Sequence, residues 1–216
     1  QIDTVHISGI NKISGEKFNQ IVTDYRFSKR FGIFSLNNIL FFSQAGLNNR
    51  IGQSYLLESI KVDKDFPRTL NISVEEKNDK IVWLSGNQCF HLDEEGLVSE
   101  FCEEQGQDLI RIKDLPRPDT AIGDQVLEPA TIDYLLSAKE GLQQQLTPVI
   151  FRLNEDSATS IKVELAENFE VYLNMDLPLE NQLNRLFVLL NGEQVKSQLS
   201  DITYFDLRFG EKVYYQ

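Results

Sequence analysis

The side chains able to do acid–base, nucleophilic or metal chemistry are few and scattered. His6 and His91 are the only histidines, and each sits within a short run that reads as a strand. A histidine acts as a base only with an orienting partner and a proton in reach. Both therefore read as half-exposed packing residues. The chain has no His-Glu-x-x-His, Cys-x-x-Cys, Gly-x-Ser-x-Gly or phosphate-loop pattern. Asp63 and Asp65 have the opening spacing of a calcium loop. Pro67 and Arg68 then stand where that loop needs a ligand and a glycine. Asp93, Glu94 and Glu95 precede Gly96, and the four read as a hairpin turn. These residues predict no catalytic site, no metal and no cofactor.

Cys89 and Cys102 flank that turn. If Asp93–Gly96 is a four-residue loop, Leu92 faces Leu97 and Cys102 lies diagonally from Cys89. Diagonal neighbours stand roughly 7–8 Å apart at Cα, which is marginal for a bridge. Two buried thiols are the favoured reading, with a disulfide left open.

The elements that must position any site follow from periodicity. Thr4–Ile7 reads as a strand ended by Gly9. Ser14 can cap a helix, with Ile13 and Phe18 as a hydrophobic staple. Phe18, Ile21, Val22 and Tyr25 then share one face. The same device predicts a second helix from Ser35, with Phe34 and Ile39 as staple and Gly46 as its stop. Ser59–Val62 and Leu70–Val74 read as strands, giving β-α-α-β-β with two helices on one face of a small sheet. Glu75–Lys80 reads as a linker.

Beyond it, Ile81–Leu84, Cys89–Leu92, Leu97–Phe101 and Leu109–Ile112 are expected strands. Pro129 opens a helix that buries Ile132, Leu135, Leu136, Leu142 and Leu146. Val149–Leu153, Ile161–Leu165 and Phe169–Met175 are further strands. Pro178 opens another helix, with Leu179, Leu183, Leu186, Phe187 and Leu190 on one face. Thr203–Phe209 and Lys212–Tyr215 end the chain as strand. The predicted class is α+β: residues 1–77 as a small domain, and 78–216 as a larger antiparallel β domain with two or more helices.

The chain has 216 residues, 41% of them hydrophobic, enough for two cores. Its net charge of -12 opposes binding to nucleic acid or to an anionic membrane surface. No run of about 18 apolar residues is present to span a bilayer. The chain begins close to its first strand, as a piece cut after an N-terminal anchor would.

Four segments, taken in order, resemble the bacterial FtsQ/DivIB cell-division family. Val5-His6-Ile7-Ser8-Gly9 with Ile13-Ser14 resembles the opening of its POTRA domain. Ser59–Val62 and Phe66–Glu76 resemble that domain's close. Trp83 and Leu92–Gly96 resemble the start of its β domain, and Asp206–Phe209 with Lys212–Tyr215 its end. Lys77 and Asp79 depart from the Arg-x-Pro usual after the acidic pair, and Ile10 from the usual Asn. The resemblance implies a non-enzymatic, single-pass protein of the bacterial cell membrane at the division septum. The bulk lies outside the cytoplasm, on an N-terminal transmembrane anchor. It implies FtsB- and FtsL-type partners on the β domain, and other divisome components on the POTRA domain. The alternatives are a POTRA-bearing subunit of a transport or secretion system, or an extracytoplasmic enzyme.

Strand parity sharpens the closing stretch. Thr203, Phe205, Leu207 and Phe209 should face the core. Asp206 and Arg208 should form an exposed ion pair worth about 0.2–1 kcal/mol. A terminal strand left at a sheet edge offers unpaired N–H and C=O groups to another chain. An FtsB segment is therefore expected to add along Thr203–Tyr215, anchored by Phe209, Tyr214 and Tyr215. By resemblance, Phe209, Gly210 and Glu211 match the partner-contacting stretch. Tyr204 and Lys212 complete the expected set.

Overall fold

The computed structural model describes residues 1–30, 34–102, 109–153 and 157–216. The first elements are β1 (Thr4–Ser8), α1 (Gly15–Phe27), β2 (Lys29–Arg30), β3 (Phe34–Ser35), α2 (Gln44–Ile51), β4 (Leu57–Asp65) and β5 (Thr69–Glu76). Then come β6 (Ile81–Ser85), β7 (Gln88–Leu92), β8 (Val98–Phe101), β9 (Ile110–Asp114), α3 (Pro129–Leu142) and β10 (Pro148–Leu153). The last are β11 (Ser160–Leu165), β12 (Glu170–Asn174), α4 (Leu179–Asn191), α5 (Glu193–Lys196), β13 (Tyr204–Phe209) and β14 (Lys212–Tyr215). The class is α+β. One sheet runs β1-β5-β4, and a nine-stranded sheet runs β14-β13-β12-β11-β10-β9-β6-β7-β8. No helix among the described residues is long and apolar enough to cross a membrane.

The chain divides into two compact units. One is Gln1–Asn78 with Val98–Phe101 and Ala121–Asp124; the other is Asp79–Leu97, Cys102–Thr120 and Gln125–Gln216. In the first, β5 is central, parallel to β1 and antiparallel to β4. Ser14 caps α1, its hydroxyl accepting the Lys17 N–H at 3.4 Å. Phe18 and Val22 are buried against Leu47, Ile51, Leu70 and Ile72. The Glu76 carboxylate accepts the N–H groups of Asn11, Lys12 and Ile13, at 2.9, 2.9 and 3.1 Å. That acid ends β5 and fixes the chain entering α1.

The second helix differs from expectation. It starts at Gln44, capped by Ser43, whose Oγ accepts the Gly46 N–H at 3.3 Å. Ser35–Asn38 cannot nucleate it because their own side chains compete for the backbone. Ser35 Oγ accepts the Asn37 N–H at 3.2 Å, and Asn38 Oδ1 accepts the Leu40 N–H at 3.0 Å. Gly46 is not a stop. It lies in the first turn of α2, where a Cβ would strike the Tyr25 hydroxyl. The Phe34 side chain of the expected staple lies outside the described residues. Glu75 and Glu76, expected in a linker, belong to β5.

In the larger sheet the hairpins are antiparallel, while β6·β9, β9·β10 and β12·β13 run parallel. Parallel neighbours need a crossover. α3 lies in the crossover between β9 and β10, α4 and α5 lie in that between β12 and β13, and β7 and β8 lie in the chain between β6 and β9. α3 packs on α4 and β9, and α4 on β12 and β13. Ile132, Leu135, Leu142 and Leu186 are fully buried. Leu136 and Phe187 are only partly so. Gln182 in α4 is completely buried. Its amide accepts the Asn174 N–H and donates to the Asn174 carbonyl, both at 2.9 Å. That tie sets where β12 ends, and so where β13 must lie.

The cysteines form a disulfide, contrary to the favoured thiol reading. The register explains it. Asp93 N–H bonds the Leu97 carbonyl, and the Asp93 carboxylate takes the N–H groups of Glu95 and Leu97. The hairpin thus closes between Asp93 and Leu97 and not between Leu92 and Leu97 as expected, and Cys102 comes to lie opposite Cys89 instead of diagonal to it. Its N–H reaches the Cys89 carbonyl at 3.0 Å, with the Cα atoms 5.2 Å apart. Closing a loop with a sequence separation of 13 restricts the unfolded chain by about 3 kcal/mol. We expect Cys89→Ser/Cys102→Ser to lose about that much in urea unfolding. The reduced natural protein should match it, whereas unchanged midpoints would show the bridge to be idle.

Candidate partner-binding edge

β13 owes its place to alternation. Phe205 and Leu207 are fully buried, Phe205 meeting the Phe169 ring edge-on at 5.3 Å. β13 is paired on both sides, with Tyr172 of β12 and Tyr214 of β14 flanking Asp206. Of the stretch Thr203–Tyr215 expected to take an added strand, β13 is therefore already paired on both sides. The free edge belongs to β14, which ends the strand order among the described residues. The cause is the turn Phe209-Gly210-Glu211-Lys212. Gly210 has φ +64°, while Glu211 does not have positive φ. A positive φ at the first central position alone is the type II′ hairpin, which needs glycine there.

The register shifts between Asp206 and Phe209, and this bulge breaks the parity that put Phe209 in the core. Phe209 is instead 57% exposed, and it meets the Tyr214 ring edge-on at 5.4 Å. Tyr214 and Tyr215 are also exposed. Tyr215 reaches back over Phe205, with ring centroids 5.7 Å apart. Gly210, Glu211 and Lys212 form the exposed hairpin tip. Six of the seven expected contact residues thus lie within Phe209–Tyr215, the turn and the outer strand of the hairpin. Tyr204 stands apart, half-buried and stacked on Tyr172 at 5.2 Å.

The Asp206–Arg208 pair is not exposed, which overturns the surface reading. Asp206 is 6% exposed, shaded by the tyrosines on both neighbouring strands. Arg208 grips it with two bonds, Nε at 2.9 Å and a terminal nitrogen at 2.7 Å. Its other terminal nitrogen donates to Ser160 Oγ at 2.9 Å. The guanidinium lies 5.0 Å from the Tyr172 ring centroid and 5.9 Å from that of Phe209. A fixed cation between two rings adds attraction of the cation–π kind, and it braces β13 just before the Gly210 turn.

The same face continues through Arg152, which pairs with Glu164 at 3.2 Å and with Glu170. The Tyr172 hydroxyl donates to Glu170 at 2.8 Å. Burial pushes the Tyr172 phenol up to about 12, and the bond to Glu170 and its negative charge push the same way. Glu164, Glu170, Tyr172 and Tyr204 border an open groove of about 500 Å3. These groups are engaged as ion pairs and stacked rings. What the β14 edge presents is different in kind: backbone donors and acceptors beside exposed aromatic faces.

His6 is exposed on β1, and His91 is partly buried with Nδ1 3.9 Å from the Asp79 carboxylate. Reading by residue type missed Arg208 and Tyr172 as supports of the hairpin. Their signal is non-local, since it needs the β12–β13 register. No protein-family model matches the chain, and no curated protein does so either.

Proposed function

We propose that this chain is the extracytoplasmic region of a non-enzymatic cell-division scaffold of the FtsQ/DivIB kind, which takes an FtsB- or FtsL-type partner by strand addition at β14. The observation that carries the reading is the edge itself. β14 has no outer neighbour among the described residues, and Phe209, Tyr214 and Tyr215 are exposed on its hairpin. Edge backbone groups supply affinity and adjacent side chains supply choice; aromatics dominate such interfaces. The order β1-α1-α2-β4-β5 in the first unit, with the short β2–β3 pair between the two helices, supports the POTRA part of the resemblance. The Cys89–Cys102 disulfide suits an oxidising compartment outside the cytoplasm. Residence at the septum on an N-terminal anchor, and further divisome contacts through the first unit, belong to the same proposal.

The test is Tyr214→Lys, which removes an anchor and places on the edge a charge of the kind that natural edges use against pairing. Titrated with the cognate FtsB-type extracytoplasmic segment, it should bind at least 30-fold more weakly, the scale of a 2 kcal/mol hot spot. Its circular dichroism should be unchanged. Full affinity in the folded variant would sink the proposal.

A further inference from the structure

The three-stranded sheet also ends in edges, and one of them is closed from within the chain. In β4, Lys61 and Asp63 stand opposite Ser73 and Asn71 of β5, while Ile60 and Val62 stand opposite Val74 and Ile72. Backbone groups alternate sides along a strand. The groups of Ile60 and Val62 point outward, and both are met by one side chain. Gln44, the first residue of α2, donates its amide N–H to the Ile60 carbonyl at 3.0 Å. Its Oε1 accepts the Val62 N–H at 3.2 Å. A carboxamide has the donor and acceptor of a peptide group. Gln44 therefore occupies the place that the backbone of an added strand would take.

The strand behind this plug is complementary to itself. Lys61 and Asp63 lie on one face, both exposed and 3.3 Å apart as an ion pair. An antiparallel partner centred with Val62 opposite Val62 of a second copy sets Lys61 against Asp63 of that copy, and Asp63 against its Lys61. Ile60 then falls opposite Lys64, and Ser59 opposite Asp65. The centre of this arrangement is the Val62 N–H, the donor that Gln44 holds.

We propose that Gln44 is an edge guard, keeping β4 from pairing with the β4 of a second copy of this chain. Natural sheets blunt free edges to avoid such association, and here the device is one side chain on a neighbouring helix. The inference is independent of the function proposed for β14.

Gln44→Ala tests it, because Ala is well tolerated at a helix start and the contact is lost with little change elsewhere. Sedimentation equilibrium over a concentration series should show a dimer at least tenfold tighter than in the natural protein. Adding Val62→Pro should abolish that dimer. Proline removes the outward N–H and leaves the β4–β5 bonds of Lys61 and Asp63 in place. Thermal melts of both variants check folding. A Gln44→Ala protein that stays as monomeric as the natural one overturns the proposal. So does a dimer that survives Val62→Pro, since its contact then lies elsewhere.

Discussion

Gly9→Ala is expected to cost about 3–4 kcal/mol, the sum of a left-handed backbone penalty and overpacking. Gly9 ends β1 with φ +86°, a region that side chains other than glycine's enter only at a cost. Space forbids the methyl as well. An ideal Cβ at Gly9 would fall on the Val74 carbonyl oxygen, which is backbone of the central strand β5 and cannot rotate away. Relief requires β1 and β5 to part, and their five paired positions, Thr4–Ser8 with Thr69–Ser73, hold that sheet together. Urea unfolding reads the loss directly. Gly15→Ala is the control: Gly15 has open space around it and sits in the first turn of α1, where Ala is the better helix former. It should be neutral or slightly stabilising. A Gly9→Ala midpoint equal to the control would mean that β1 yields more easily than its pairing indicates.

Gly9 also shows what the sequence makes legible. A glycine closing an alternating run signals a strand end, and the Ser14 cap with Phe18, Ile21, Val22 and Tyr25 behind it fixes α1 by local rules alone. α4 is read the same way, from its leucine stripe. The Ser35 helix fails because its cap-like pattern is consumed by the Ser35 and Asn38 side-chain turns, which periodicity does not weigh. At the C-terminus the composition of the edge was legible and its geometry less so. Phe209-Gly210-Glu211-Lys212 carries its own turn signal, Gly followed by any residue. Once that turn forms, β14 rather than β13 becomes the edge. The bulge that exposes Phe209 has no local signature. Nor has the burial of Asp206, which depends on tyrosines that reach it from two other strands.

Asp206 is accordingly where the second large effect is expected. An exposed Asp–Arg pair contributes about 0.2–1 kcal/mol. Breaking a fully buried one costs about 3–5 kcal/mol, because the surviving charge is left without its partner. The Arg208 side chain keeps 20% of its surface in solvent, so Asp206→Ala should fall between these ranges, at about 2–3 kcal/mol. The two classes differ in their coupling as well as in size. Adding Arg208→Ala to Asp206→Ala removes the stranded guanidinium, and the double variant should be no less stable than Asp206→Ala alone. For an exposed pair the Asp206→Ala loss would already lie within about 1 kcal/mol, and the second substitution would recover nothing. The hairpin gives a second readout. Arg208 is held by Asp206 against Tyr172 and Phe209, so losing the carboxylate frees the turn end of the β14 hairpin as well as weakening the fold. Amide hydrogen exchange in Lys212–Tyr215 should then rise at denaturant concentrations where β11 and β12 stay protected. Exchange that rises equally across the sheet would show that the pair supports the unit as a whole and leaves the edge no better ordered than the rest.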